Sequence, residues 1–146
     1  MRRRATRSVA KYVGTKNIFS GRVIGSARGE TIIAWGQHRI HAPGDGFTVG
    51  QKATFCIRPE EMMIIRPDRP LKAGLDENMV ACTLVRQIDR AATHSLFFKA
   101  HGVTQNDYDL EVLLPQHAWQ RLKPVVGQPT AISLKRSAIH MIPEIE

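Results

Sequence analysis

The chain repeats itself. Val49-Gly50-Gln51-Lys52-Ala53-Thr54-Phe55-Cys56-Ile57-Arg58-Pro59-Glu60-Glu61-Met62-Met63-Ile64-Ile65 lies over 126–142 without a gap, at a constant offset of 77 residues, with Val-Gly-Gln identical and the apolar positions in step. A repeat constrains architecture more firmly than local propensity does, because whatever structure one copy takes, the other must be able to take too. Upstream, Asn17-Ile18-Phe19-Ser20-Gly21-Arg22-Val23 resembles Asn78-Met79-Val80-Ala81-Cys82-Thr83-Leu84 at an offset of 61, so the second copy is longer in its middle. The expected organisation is a basic tail over 1–16, a first repeat over 17–67, a charged linker over 68–77 that holds Pro70 and Gly74, and a second repeat over 78–146.

Each copy reads as short strands separated by turn signals, the pattern of a small antiparallel barrel or sandwich. The expected strands are 17–25, 30–35, 38–42, 52–58 and 62–66 in the first copy, and 78–87, 94–100, 108–113, 130–136 and 138–142 in the second. Gly44-Asp45-Gly46 and Gln105-Asn106-Asp107 mark turns. Helix is expected only over 115–122, where Pro115 suits a first turn, Ala118, Trp119 and Leu122 share one side, and Pro124 closes the segment. The predicted class is therefore all-β, with one short helix in the second copy.

The formal charge of +8 invites a nucleic-acid reading until its location is considered. Arg2, Arg3, Arg4, Arg7, Lys11 and Lys16 account for six of the 21 basic residues, which leaves 15 against 13 acids in the rest of the chain. A body so nearly balanced lacks the dense basic stripe of a protein that contacts many phosphates. With only nine aromatics, it also lacks material for stacking platforms. No nucleic-acid partner is expected. No apolar run approaches the roughly 20 residues of a membrane span, and Cys56 and Cys82 stand apart with no Cys-x-x-Cys, so a reducing, cytoplasmic setting with core thiols is the expectation.

The chain contains no Gly-x-x-x-x-Gly-Lys-Ser/Thr loop, Gly-x-Gly-x-x-Gly, Gly-x-Ser-x-Gly or His-Glu-x-x-His. His38 and His41 would point to opposite faces of a strand, which makes a poor metal pair. Glu60 and Glu61 adjoin Arg58 and read as a solvated, salt-bridged edge. The most informative stretch closes the second repeat. If 132–138 is extended, Ser133, Lys135 and Ser137 share one face, a cation flanked by hydroxyls. Such a set suits a small tetrahedral oxyanion, which needs compensating charge and several convergent donors. A plain solvated outer face is the other reading of the same residues.

These residues also carry a resemblance. "VGTKNIFSGRV" near the start, "CIRPEE" closing the first repeat and "YDLEVLLPQHAWQRLKPVVGQPTAISLKRSAIHMIP" closing the second are similar to the C-terminal regulatory region of ATP-binding subunits of ABC transporters. That region is built of tandem OB-like repeats, called TOBE, or Mop-like in the molybdate and tungstate importers that "LKRSAIH" resembles most. The resemblance implies two tandem OB-like barrels and an oxyanion, molybdate or tungstate, held by a Ser-Ala-Arg-Asn type start and a Lys near the closing strand. Carried onto this sequence, that start is Gly14-Thr15-Lys16-Asn17, with Lys16 in place of the Arg, and the closing cation is Lys135. Arg136 and Ser137 lie beside it, Ser133 precedes it, and Arg58 is its counterpart in the first repeat. The second start has Glu77 where the Arg would stand.

The functional expectation that follows is a cytoplasmic oxyanion-sensing regulatory domain, at the inner face of the membrane when part of a transporter. It would work as a homodimer, with the nucleotide-binding domain of an ABC ATPase and, through it, a membrane permease as partners. No cofactor and no catalytic activity of its own are expected, because the nucleotide-binding motifs are absent from the sequence. The implied regulation is trans-inhibition, in which internal oxyanion holds the importer inactive. The first rival is a ligand-free dimerisation module of an importer for sugars, polyamines or iron, and the second, behind it, is a nucleic-acid-binding OB protein favoured by the basic tail.

Overall fold

In a computed structural model, the chain is described over residues 17–66, 77–103 and 107–142. The basic tail with Thr15 and Lys16, nearly all of the expected linker, and the Gln105-Asn106 turn lie outside these residues. In chain order the elements are β1 (Ile18–Ala27), β2 (Glu30–Trp35), β3 (His38–Pro43), β4 (Lys52–Cys56), a 3-10 turn (Pro59–Glu61) and β5 (Met62–Ile65). The second copy supplies β6 (Met79–Arg90), β7 (Thr93–Ala100), β8 (Leu110–Pro115), α1 (Gln116–Leu122), β9 (Pro129–Leu134), a second 3-10 turn (Arg136–Ala138) and β10 (His140–Ile142). The expected class, all-β tandem OB-like repeats with one short helix in the second copy, is the class of this fold.

The strands form two five-stranded sheets, in the orders β10-β4-β1-β2-β3 and β5-β9-β6-β7-β8. Each sheet is thus completed by the closing strand of the other copy. β5 leaves the first copy to pair antiparallel with β9, Met63 opposite Ser133, while β10 leaves the second to pair with β4, His140 opposite Cys56. The two pairings are related by the repeat offset, so the exchange obeys an internal two-fold pseudo-symmetry. The 3-10 turns are the two crossing points, each carrying the chain from one sheet into the other.

The symmetry extends to detail. β1 bulges between Val23 and Gly25, and β6 between Leu84 and Arg86, the same place in each copy. A bulge leaves one residue out of the ladder, here Ile24 and Val85, and both are exposed. The shared Val-Gly-Gln is a turn. Gly50 and Gly127 both sit at φ 94°, where a side chain would be strained. The Gln51 side chain accepts the Thr48 N–H at 2.9 Å, and Gln128 accepts that of Val125 at 3.2 Å. Gly50 and Gly127 then donate backbone hydrogen bonds to Val23 and Leu84, across the two bulges.

Two asparagines join the halves. Asn17 and Asn78 both have positive φ, which Asn tolerates better than most residues. The Asn17 side chain accepts from the Glu111 N–H at 2.6 Å and donates to the Glu111 carbonyl at 2.7 Å. Asn78 does the same to His41, at 2.8 Å each way, and also donates to the Leu134 carbonyl at 2.9 Å. His41 on β3 and Glu111 on β8 are equivalent positions, opposite Ile32 and Phe97 respectively. Each half therefore clamps the backbone of the other.

One apolar core runs through both halves, from Phe19, Ile33 and Phe55 to Leu84, Phe98 and Leu134. On the first side Phe19 packs between Trp35 and Phe55, at ring-centroid distances of 4.6 and 5.1 Å. α1 keeps Ala118, Trp119 and Leu122 half-buried as expected, with Trp119 stacked on His94 at 4.2 Å. Pro115 is its N-cap and the last residue of β8 rather than a residue of its first turn.

Candidate functional site

The extended run expected over 132–138 does not exist. β9 stops at Leu134, and Arg136–Ala138 forms a 3-10 turn, because the chain must here leave one sheet for the other. The single face proposed for Ser133, Lys135 and Ser137 is accordingly broken. Ser133 is fully buried and donates its hydroxyl hydrogen bond to the Glu77 carbonyl at 2.7 Å, whereas Lys135 and Ser137 are exposed.

What replaces that face is a depression at the crossing point. Arg58 and Lys135 are the residues immediately before the two 3-10 turns, equivalent by the repeat offset. Their carbonyls accept the closing turn hydrogen bonds, from Glu61 at 3.0 Å and Ala138 at 2.9 Å. Both line a polar hollow of about 200 Å³, together with Ser137, Glu61, Ala138 and His140. Two cations from different copies thus meet across the pseudo-two-fold, with one hydroxyl, one imidazole and one opposing carboxylate. A tetrahedral oxyanion has two-fold axes of its own, so a pair of equivalent cations can grip it from both sides.

The remaining expected residues lie elsewhere. Asn17 is committed to the Glu111 backbone. The Arg136 guanidinium donates to Glu30 Oε2 at 2.6 Å, and its backbone N–H donates to Glu77 Oε1 at 2.8 Å. The Arg136 hydrogen bond, with His41 adding to it, holds the Glu30 carboxyl below its ordinary range against an opposing desolvation, and the pairing holds the guanidinium above its own. Glu30 Oε2 also lies 3.5 Å from His41 Nδ1. A second polar hollow of about 340 Å³ adjoins this group, lined by Arg39, His41, Glu77, Asn78, Met79 and Arg136.

Sequence reasoning found Arg58, Lys135 and Ser137, which the structure brings together. It had Glu61 beside Arg58 but missed His140 as a neighbour of both cations. The repeat alignment already placed the two cations at equivalent positions. Nothing in the sequence reveals that β10 crosses to β4 and carries His140 with it. Among the described residues no cluster of His, Cys, Asp and Glu has the make-up of a metal site. Both cysteines are buried, and burial pushes the Cys82 thiol up to about 12. No helix among them is long and apolar enough to cross a membrane.

The fold is that of tandem OB-like repeats, with a cation-bearing hollow where the two repeat-equivalent crossing points meet. No protein-family model and no curated protein matches the chain. Among solved structures it is similar to the cytoplasmic molybdate-binding protein ModG, crystallised with molybdate bound, at a TM-score of 0.77 and 14% identity. The match covers 88% of this chain and 97% of that one. At this identity the likeness is one of fold.

Proposed function

We propose that the protein is a cytoplasmic oxyanion-binding module for molybdate or tungstate, and that the hollow between Arg58 and Lys135 holds the anion. The observation that carries this reading is the meeting of two repeat-equivalent cations with the Ser137 hydroxyl, on a fold shared with a protein crystallised with molybdate bound. Each charge-assisted hydrogen bond to the anion contributes roughly 1.5–3 kcal/mol. Several are needed, because removing a dianion from water costs several kcal/mol.

In the finer reading, the module is the regulatory part of an ABC importer and acts as a homodimer beside the ATPase subunits. Bound oxyanion then biases the transporter toward its inactive state with a coupling of about 1–3 kcal/mol. Support for assembly comes from the surface, where exposed apolar residues fall in equivalent pairs: Ile18 with Met79, Ile24 with Val85, Val49 with Val126. Glu61 in the hollow favours a second reading, a ligand-free structural module, since its carboxylate opposes an anion.

Calorimetric titration with tungstate, with sulfate as control, separates the two. The oxyanion reading expects saturable binding that prefers tungstate. It also expects at least a tenfold loss in Lys135→Ala, about 1.4 kcal/mol, and almost none when Arg2 to Arg4 are removed. Equal response to sulfate and tungstate transfers the assignment to the structural module, and an unchanged Lys135→Ala affinity takes the anion out of this hollow.

A further inference from the structure

The second polar hollow is built of basic groups whose anions come from the chain itself. Arg39, His41 and Arg136 converge on it. Glu77 fills the acceptor role at its edge by taking the Arg136 N–H at 2.8 Å, and Glu30 takes the Arg136 guanidinium at 2.6 Å. The Glu77 main chain is anchored independently, its carbonyl accepting the Ser133 hydroxyl at 2.7 Å. The adjacent Asn78 is fixed by three hydrogen bonds to His41 and Leu134. The Glu77 carboxylate is thus held over the hollow by a backbone with little freedom to withdraw it. The repeat shows that the arrangement is specific to this half, for Arg136 corresponds to Pro59, which has no N–H to offer, and Glu77 corresponds to Lys16.

We infer that Glu77 is a specificity residue, an internal carboxylate that closes the Arg39–His41–Arg136 hollow to external oxyanions and limits the chain to one anion, the one on the pseudo-dyad. An external oxyanion and the Glu77 carboxylate compete for the Arg136 N–H, and the tethered group wins because its effective concentration is high and it loses little freedom on binding. The inference rests on the oxyanion reading proposed above, but it concerns a different set of residues, so the two can fail separately.

The test is the tungstate stoichiometry of the full chain, wild type beside Glu77→Ala and Glu77→Gln, measured by calorimetry and by counting tungsten per chain after dialysis. The expected values are one per chain for wild type and two for Glu77→Ala. Glu77→Gln should stay at one, because its amide oxygen still accepts the Arg136 N–H. Adding Arg39→Ala to Glu77→Ala should remove the second anion and leave the first, which places it in this hollow. A Glu77→Ala protein that melts like wild type yet still takes one anion overturns the inference, as does a wild type that takes two. A wild type that takes none while Glu77→Ala takes one would sink the pseudo-dyad site and leave the role of Glu77 standing.

Discussion

Asn17 and Asn78 are where single residues matter most for the joint between the halves. Each pairs with both backbone groups of a residue in the opposite half. Replacing Asn17 by Ala leaves the Glu111 N–H and carbonyl without their partner in a buried place. It also puts Ala at φ 65°. We expect a loss of about 2–6 kcal/mol in urea unfolding, at about 1–3 kcal/mol for each of the two orphaned groups, and a smaller loss for the less buried Asn78→Ala. Equal, negligible effects would show that the clamps are ornamental. Acid should also destabilise the fold. Burial lowers His38 below its ordinary 6.5, and Arg136 lowers Glu30 below 4.5, so in both cases the unfolded chain takes up the proton first. His38 therefore contributes stability above about pH 6.5 that is lost as pH falls through its folded value, and Glu30 follows below about pH 4.5. Thermal midpoints should drop between pH 7 and pH 5, and less steeply in His38→Gln; midpoints that rise toward pH 5 would contradict this. At this scale the sequence named Arg58, Lys135 and Ser137, which line one hollow, and the equivalence of the two cations under the repeat was legible as a sequence property. It could not reveal the burial of Ser133 or the diversion of Arg136 to Glu30, since both depend on which strands become neighbours.

At the scale of elements, the exchange of β5 and β10 is the feature that periodicity could not disclose. Strand positions were legible to within a few residues, and the shared Val-Gly-Gln turn was visible as an identity. The Lys-Arg-Ser-Ala run, however, alternates as readily in an extended strand as in a crossing turn. Only the need to pass from one sheet to the other decides it. The exchange has a measurable signature. Ile142 lies on β10, 1% exposed, and its strand is paired with β4 of the first copy. Ile142→Ala should cost about 2–5 kcal/mol, as burying-site truncations of this size do. Its loss of amide hydrogen-exchange protection should appear first in β4 around Thr54 and Cys56, not in β9. Loss concentrated in β9 would mean that β10 belongs to its own copy.

At the scale of the whole molecule, a chain with two repeats behaves as one body because its core is one cluster and its sheets are interlocked. Far-UV and near-UV signals should therefore unfold in a single coincident transition; two separated transitions would show independent units. The paired exposed residues Ile24, Val85, Val49 and Val126 give the surface the same internal symmetry, and a two-fold dimer would use it. Light scattering should return twice the 16.4 kDa chain mass. A persistent monomer at high concentration would remove the dimer. The central claim, an oxyanion held on the pseudo-dyad, is tested most directly by anomalous diffraction at the tungsten edge from crystals soaked in tungstate. The account predicts a tungsten peak in the hollow between Arg58 and Lys135, within hydrogen-bonding reach of Ser137. Saturated crystals with no peak there, or with tungsten bound only elsewhere, would contradict it.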